Sequence, residues 1–297
     1  MKKYLVVLAG SPRGGQDTWN TLYEHVLDHL DADLAICTGD KFDIDPVLYD
    51  KAKYRWIFEE PEDWLTYYQK NFKNNWNNFF LKGKTTGLYN SGSIHFAIKD
   101  IILKNYLSVI SNYEYLIYTR FDQFYTGNHF EIISNESKIY IPDGEDYFGI
   151  GDRHAIVSCS LAEKFLGICQ YIDNDISTLD APEYLNCETA YLRFLKHEKL
   201  LGYVQRYPRK QFTSATSKDE TNWRIAKYKI YFFKDLLMKY PDEFLEAIKN
   251  SLLDDGYLKI VFFKFRLFIN YIYLISRKLA GSYLHNQNFV NKKNEEQ

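Results

Sequence analysis

The chain of 297 residues carries 37 Lys and Arg against 39 Asp and Glu, with the two signs interspersed, which leaves no basic footprint for nucleic acid. That length can bury a large core; it is long for one domain and short for two, which suits one α/β domain with a C-terminal extension. Four scattered cysteines (Cys37, Cys159, Cys169, Cys187), with no CxxC pair and no His at zinc spacing, predict a reducing compartment and no structural zinc, while 26 Tyr and 21 Phe make the composition strongly aromatic.

The opening Met1-Lys2-Lys3 and the apolar run after it imitate a signal peptide, but the run is only about seven residues long and soon meets Arg13, so it reads as a first buried strand. Tyr4 to Ala9 is that strand, Gly10-Ser11-Pro12-Arg13-Gly14-Gly15 a loop, and Thr18 to Leu30 a helix spaced through Trp19, Leu22, Val26 and Leu30. A second strand, Asp33 to Thr38, makes this a right-handed parallel crossover. Phe42 to Lys82, rich in Trp, Tyr and Asn, reads as an irregular insertion over the sheet whose Trp56, Trp64 and Trp76 pack it or line a cleft. Gly92 to Ile110 is an amphipathic helix with His95 and Lys99 one turn apart, feeding a strand at Tyr115 to Thr119. Further on come a strand at Lys138 to Pro142, a Gly-rich acidic loop from Gly144 to Arg153, helices at Leu161 to Tyr171 and Glu188 to Leu195, and a last strand at Tyr203 to Arg206. From Asn222 onward the pattern is helical only. No run reaches about 18 uncharged apolar residues, so no simple transmembrane helix is expected.

Three places carry candidate chemistry. The strand Tyr115 to Thr119 runs into Arg120 and Asp122, and strand alternation sends both to one side, where a lone carboxylate can hold a divalent cation and an Arg a phosphate. The alternative is that the two cap a loop or pair with each other on the surface. The loop Gly10 to Gly15 lies between a strand and a helix, so its backbone N–H groups and Arg13 can face an anion, although it is neither GxxxxGK[ST] nor GxGxxG. The Gly144 to Arg153 loop offers carboxylates for proton transfer, each of which can equally be a solvated loop residue or a helix cap.

Taken in order, Gly10 to Arg13, Ala32 to Leu34, Thr119-Arg120-Phe121-Asp122 and Pro142 to Arg153 resemble the nucleotide-sugar glycosyltransferases of the GT-A type, over roughly residues 4 to 206. The resemblance implies a Rossmann-like, mostly parallel α/β domain over residues 1–215 with a helical extension over 216–297. It also implies a UDP- or GDP-linked sugar donor, a glycan or lipid-linked acceptor, and Mn2+ or Mg2+ bridging the donor phosphates. Asp122 matches the last Asp of that family's DxD element and would hold the metal, while Arg120 stands at the position of the first. Ala9, Gly10, Ser11, Arg13, Thr38, His95, Lys99 and Arg120 would join Asp122 around the donor. Asp152 is the candidate general base, with Asp146 and Glu145 competing, and Arg153, His154 and Glu188 would face the acceptor. The setting implied is surface polysaccharide or glycoprotein assembly in the cytoplasm or at the cytoplasmic membrane face. The run Pro12 to Trp19 also resembles the phosphosulfate loop of sulfotransferases, with one residue too many and Asp17 where a phosphosulfate would sit. A non-catalytic glycan-binding protein is the third reading.

Tyr257 to Ile275 is almost wholly aromatic or aliphatic, with Lys259, Arg266, Asn270 and Arg277 spaced seven, four and seven as one polar helical stripe. Such a helix suits a membrane interface or packing on the domain or on a second copy of the chain.

Overall fold

The computed structural model describes residues 2–74, 76, 91–134, 136–144, 146–174, 186–219, 228–229 and 235–255, with the single positions Phe265, Ile269 and Ile272. Its main body is a seven-stranded sheet in the order β3-β2-β1-β4-β7-β6-β8. These strands are β1 (Tyr4–Ala9), β2 (Asp33–Gly39), β3 (Tyr54–Phe58), β4 (Tyr115–Arg120), β6 (Ile139–Pro142), β7 (Ala155–Ser158) and β8 (Val204–Tyr207). All run in one direction except β7, which is antiparallel to β4 and β6. The protein is therefore α/β, with a mostly parallel Rossmann-like sheet.

The sheet is covered on both faces, which explains why β1 is apolar throughout. Leu5, Val7 and Ala9 face one core with α4 (Ser91–Ile110), α5 (Cys159–Leu166), α6 (Ile168–Asn174) and α7 (Cys187–His197). Tyr4, Val6 and Leu8 face the other, with Trp19 and Leu22 of α1 (Gly15–Leu22) and Val26 of the π-helical turn Tyr23–Asp28 that continues it. Leu5 is fully buried, and a side chain of that size removed from water contributes about 1.5–3 kcal/mol.

Several sequence expectations need correction. The stretch from Phe42 is not irregular: it holds α2 (Pro46–Lys51), β3 and α3 (Trp64–Asn71). Within β3, Trp56 is buried and stacks on Tyr106 at 4.3 Å while Arg55 and Ile57 face out, the alternation of an edge strand. Gly167 divides the helix expected at Leu161 to Tyr171 into α5 and α6. Tyr203 to Arg206 is not the last strand, and the chain after Asn222 is not helical only. A second sheet, β10-β11-β9-β5, joins β5 (Gln123–Tyr125) to β9 (Gln211–Ala215), β11 (Leu237–Met238) and β10 (Tyr228–Lys229). Helix α8 (Pro241–Asp255) packs on β9 through Phe244 and Phe212, whose rings meet edge to face at 5.2 Å. Strands β9 and β11 pair across the 215/216 boundary.

Most of the C-terminal aromatic run lies outside the described residues; Phe265, Ile269 and Ile272 are exposed. Among the described residues no helix is long and apolar enough to cross a membrane. The four cysteines are free thiols.

Candidate functional site

The strand order reverses between β1 and β4, so their connections leave in opposite directions and open a crevice at the carboxyl ends of the sheet. A cavity of about 660 Å³ fills it. Gly10, Ser11 and Arg13 after β1, Arg120 at the end of β4, His95 near the start of α4, Asp152 and Arg153 before β7, and Glu188 at the start of α7 all line it. Loops whose sequence separation exceeds a hundred residues thus meet at one place, because each follows or precedes an element anchored in the same sheet.

The loop after β1 turns on glycines. Gly10, Gly14 and Gly15 have φ of 107°, 102° and 72°, a region that side-chain-bearing residues rarely adopt. Its anion-binding capacity is partly engaged from within, since the N–H of Gly14 donates to Asp219 at 3.1 Å, a carboxylate that also takes the N–H of Thr216 at 2.6 Å. Burial lowers the pKa of Arg13, and Asp122 opposes that shift.

Arg120 and Asp122 are paired with each other in a short hydrogen-bonded ion pair. Strand alternation does not carry both into the cavity because β4 ends at Arg120. Asp122 lies in the turn beyond, where its backbone carbonyl accepts the N–H of Ser214 at 2.8 Å. Burial alone would push the Asp122 carboxyl up, but Arg120 and then Arg13 outweigh it and hold the group below the usual carboxylate range. Asp122 itself does not line the cavity.

Lys99 and Asp152 form a second internal pair. The Lys99 ammonium is wholly buried, reaches the Asp152 carboxylate at 3.3 Å and its carbonyl at 3.2 Å, and lies 4.3 Å from the centre of the Tyr191 ring. Lys99 therefore fixes Asp152 from behind and does not touch the cavity. His95 does, and burial followed by Arg120, Lys99, Arg13 and Arg153 drives its pKa far below normal, so it is a neutral imidazole.

Arg153 is braced by the late part of the chain. Its guanidinium sits 3.1 Å from Glu243 of α8 and 3.1 Å from the Thr213 hydroxyl, while Glu243 also lies 3.5 Å from Arg209 and accepts the N–H of Thr213 at 2.7 Å. Burial, then Arg120 and Arg209, lower the Arg153 pKa to about 10, which leaves it charged at neutral pH.

Glu188 differs from the other carboxylates of the wall. Burial first and Asp152 second push it up to about 7, against the pull of Arg153. Its helix is capped by a reciprocal pair, with Asn186 accepting the N–H of Thr189 at 2.7 Å and the Thr189 hydroxyl accepting the N–H of Asn186 at 2.9 Å. The Gly-rich loop is sewn to this helix start. Ile150 N–H donates to the Glu188 carbonyl at 3.0 Å, and a Cβ at Gly149 would collide with the Glu188 backbone. Replacing Gly149 by Ala is therefore expected to push the loop off the helix and lower Tm together with ligand affinity, measured by thermal denaturation and titration.

The remaining expected residues that the structure describes lie off the cavity. Ala9 and Thr38 are buried in strands β1 and β2. Asp146 braces its own loop, accepting the N–H of Gly151 at 3.1 Å and pairing with Arg206 at 2.9 Å. His154 is buried in a chain of hydrogen bonds linking His129 at 2.9 Å to Thr119 at 2.9 Å. Glu145 lies outside the described residues. Wall residues that were not anticipated include Asp43 and Glu60 and, from beyond position 215, Lys218, Asp219, Lys239 and Tyr240. Burial and Lys239 act on the Tyr240 phenol in opposite senses, and the net result is a pKa below the ordinary tyrosine value.

The donor set does not fit a divalent metal. Asp122 is committed to Arg120 and Asp152 to Lys99, the wall sets Arg13, Arg120, Arg153, Lys218 and Lys239 among the carboxylates of Asp43, Glu60, Asp152, Glu188 and Asp219, and among the described residues no group of three His, Cys, Asp or Glu side chains is placed to hold a metal ion. The wall is thus of mixed charge, with its three arginines able to meet an anion. No protein-family model matches the chain, and no curated protein matches it.

Proposed function

We propose that the protein is a GT-A-like glycosyltransferase that moves a sugar from a nucleoside-diphosphate donor to a hydroxyl acceptor. The observation that carries this reading is that Arg13, Arg120 and Arg153 line one crevice at the sheet's switch point together with Asp152 and Glu188. In the reaction, the acceptor oxygen bonds to the anomeric carbon as the bond from that carbon to the diphosphate breaks. The leaving diphosphate keeps the electron pair, and Glu188 takes the acceptor proton. Negative charge grows on the departing diphosphate, and the three arginines stabilise it where the GT-A resemblance would place Mn2+ or Mg2+. With a pKa of about 7, Glu188 is suited to accept a proton near neutral pH, while Asp152, held by Lys99, supplies part of the negative charge that raises it. A single displacement of this kind inverts the anomeric centre.

A thermal-shift screen with EDTA present tests the reading. UDP or GDP at a hundredfold excess over its Kd is expected to stabilise the protein by about 2.7 kcal/mol, on the order of 5–10 °C in Tm. Stabilisation by adenosine 3′,5′-bisphosphate alone would replace it with sulfuryl transfer, and no nucleotide response would leave a glycan-binding role. A response that appears only with manganese would overturn the arginine-based account of the diphosphate.

A further inference from the structure

Near its C-terminus the chain turns apolar side chains toward solvent. Phe265, Ile269 and Ile272 are helical, with 62, 45 and 51 % of their surfaces exposed. Spacings of four and three place them in one row on one helix face. On the same spacing Lys264 and Arg266 stand about 100° to either side of Phe265, so a cation borders the row on each flank.

The charge around this row has one sign. From Gly256 to Asn294 the sequence holds seven Lys and Arg and no acidic residue, although the whole chain has a net charge of -2. All 39 Asp and Glu therefore lie outside that stretch, and what the row meets should be negative as well as apolar.

We propose that this segment docks the protein on an anionic lipid surface. The row at Phe265, Ile269 and Ile272 enters the acyl boundary with its axis in the membrane plane, and the bordering Lys and Arg reach the lipid phosphates. Aliphatic stems of Lys and Arg lie along apolar surface while their charged ends stay at headgroup level, which is what cations at the edge of an apolar row require. The segment lies on the bilayer and does not span it, because Lys259, Lys264 and Arg266 interrupt the apolar run from Tyr257 to Ile275 and charge at the bilayer centre is costly. A second copy of the chain is the poorer occupant. A two-fold contact sets the same patch against itself, so the cations of one protomer would crowd those of its partner. None of these steps depends on the glycosyltransfer reading, and the docking stands or falls separately from it.

Co-sedimentation of the full-length protein with vesicles tests the proposal, using phosphatidylcholine alone or mixed with about 30 % phosphatidylglycerol. Wild type is expected to pellet with the mixed vesicles and to stay in solution with the neutral ones. Raising NaCl from about 50 to about 300 mM should weaken that binding by on the order of tenfold. Replacing the row together (Phe265→Ser, Ile269→Ser and Ile272→Ser) should weaken it by roughly tenfold or more and leave Tm unchanged, since the row is exposed. Lys264→Glu with Arg266→Glu should abolish the preference for phosphatidylglycerol. Wild type that ignores the mixed vesicles, or a triple variant that binds them as wild type does, overturns the proposal. A triple variant several degrees less stable would assign the row to internal packing, and a dimer seen by light scattering that this variant dissolves would assign it to a second copy; either result also overturns it.

Discussion

Glu188→Gln is expected to lower kcat by about 10²–10⁴-fold with little change in nucleoside-diphosphate affinity, because it removes the proton acceptor and keeps the shape of the wall. The pH dependence sharpens the expectation. The Glu188 carboxyl rises from an ordinary 4.5 to about 7 on folding, so wild-type kcat/KM should climb with pH through about 7, and the residual activity of the variant should lose that limb. Stability moves the other way. The folded chain holds this proton over a range in which the unfolded chain has released it, so Glu188 contributes stability at acidic pH that is lost as pH rises through about 7. Glu188→Gln should flatten that part of the Tm profile as well. A variant that keeps wild-type kcat would move the base to another group, and an unchanged acid limb would separate Glu188 from the titration.

The second large effect concerns stability. Glu243→Ala leaves the buried guanidinium groups of Arg153 and Arg209 without their shared counter-charge and the Thr213 N–H without its acceptor. Removing one partner of a buried pair costs about 3–5 kcal/mol, which lowers Tm by on the order of 10 °C. Glu243→Gln retains an acceptor for Thr213 and should fall between Ala and wild type in chemical denaturation. If the Ala variant stays within about 0.5 kcal/mol of wild type, the carboxylate is not what holds the two arginines.

These two residues also mark what sequence reading reaches. Glu188, Arg13, His95, Arg120, Asp152 and Arg153 were legible as site candidates because each adjoins a strand, helix or Gly-rich loop with clear periodicity. Their roles were less legible. Spacing placed Lys99 one turn from His95, but only packing reveals that the ammonium points into the core and braces Asp152. Asp122 was read by strand alternation, a rule that lapses where β4 ends at Arg120. The proposed base moved from Asp152 to Glu188 because charge environment, which spacing does not encode, separates the two carboxylates. Lys239, Tyr240 and Glu243 follow a strand of two residues, Leu237–Met238, too short to show a period and defined only by its pairing with β9. For the same reason β5, of three residues, shows no period, while β1, β2 and β4, apolar on both faces, stand out.

The contact between Gly14 and Asp219 bears on how the molecule is made. A donor in the first loop finds its acceptor 205 positions later, and β5 pairs with β9 some ninety residues downstream. During synthesis the N-terminal βαβ unit can pair as soon as it leaves the ribosome, whereas the crevice keeps an open side until β9, Asp219 and the Lys239–Tyr240 pair emerge. Long-range closure of this kind slows folding. A nascent chain therefore carries Arg13, Arg120 and Arg153 before their pocket is finished, and the crevice is complete only once the chain through Tyr240 has been made.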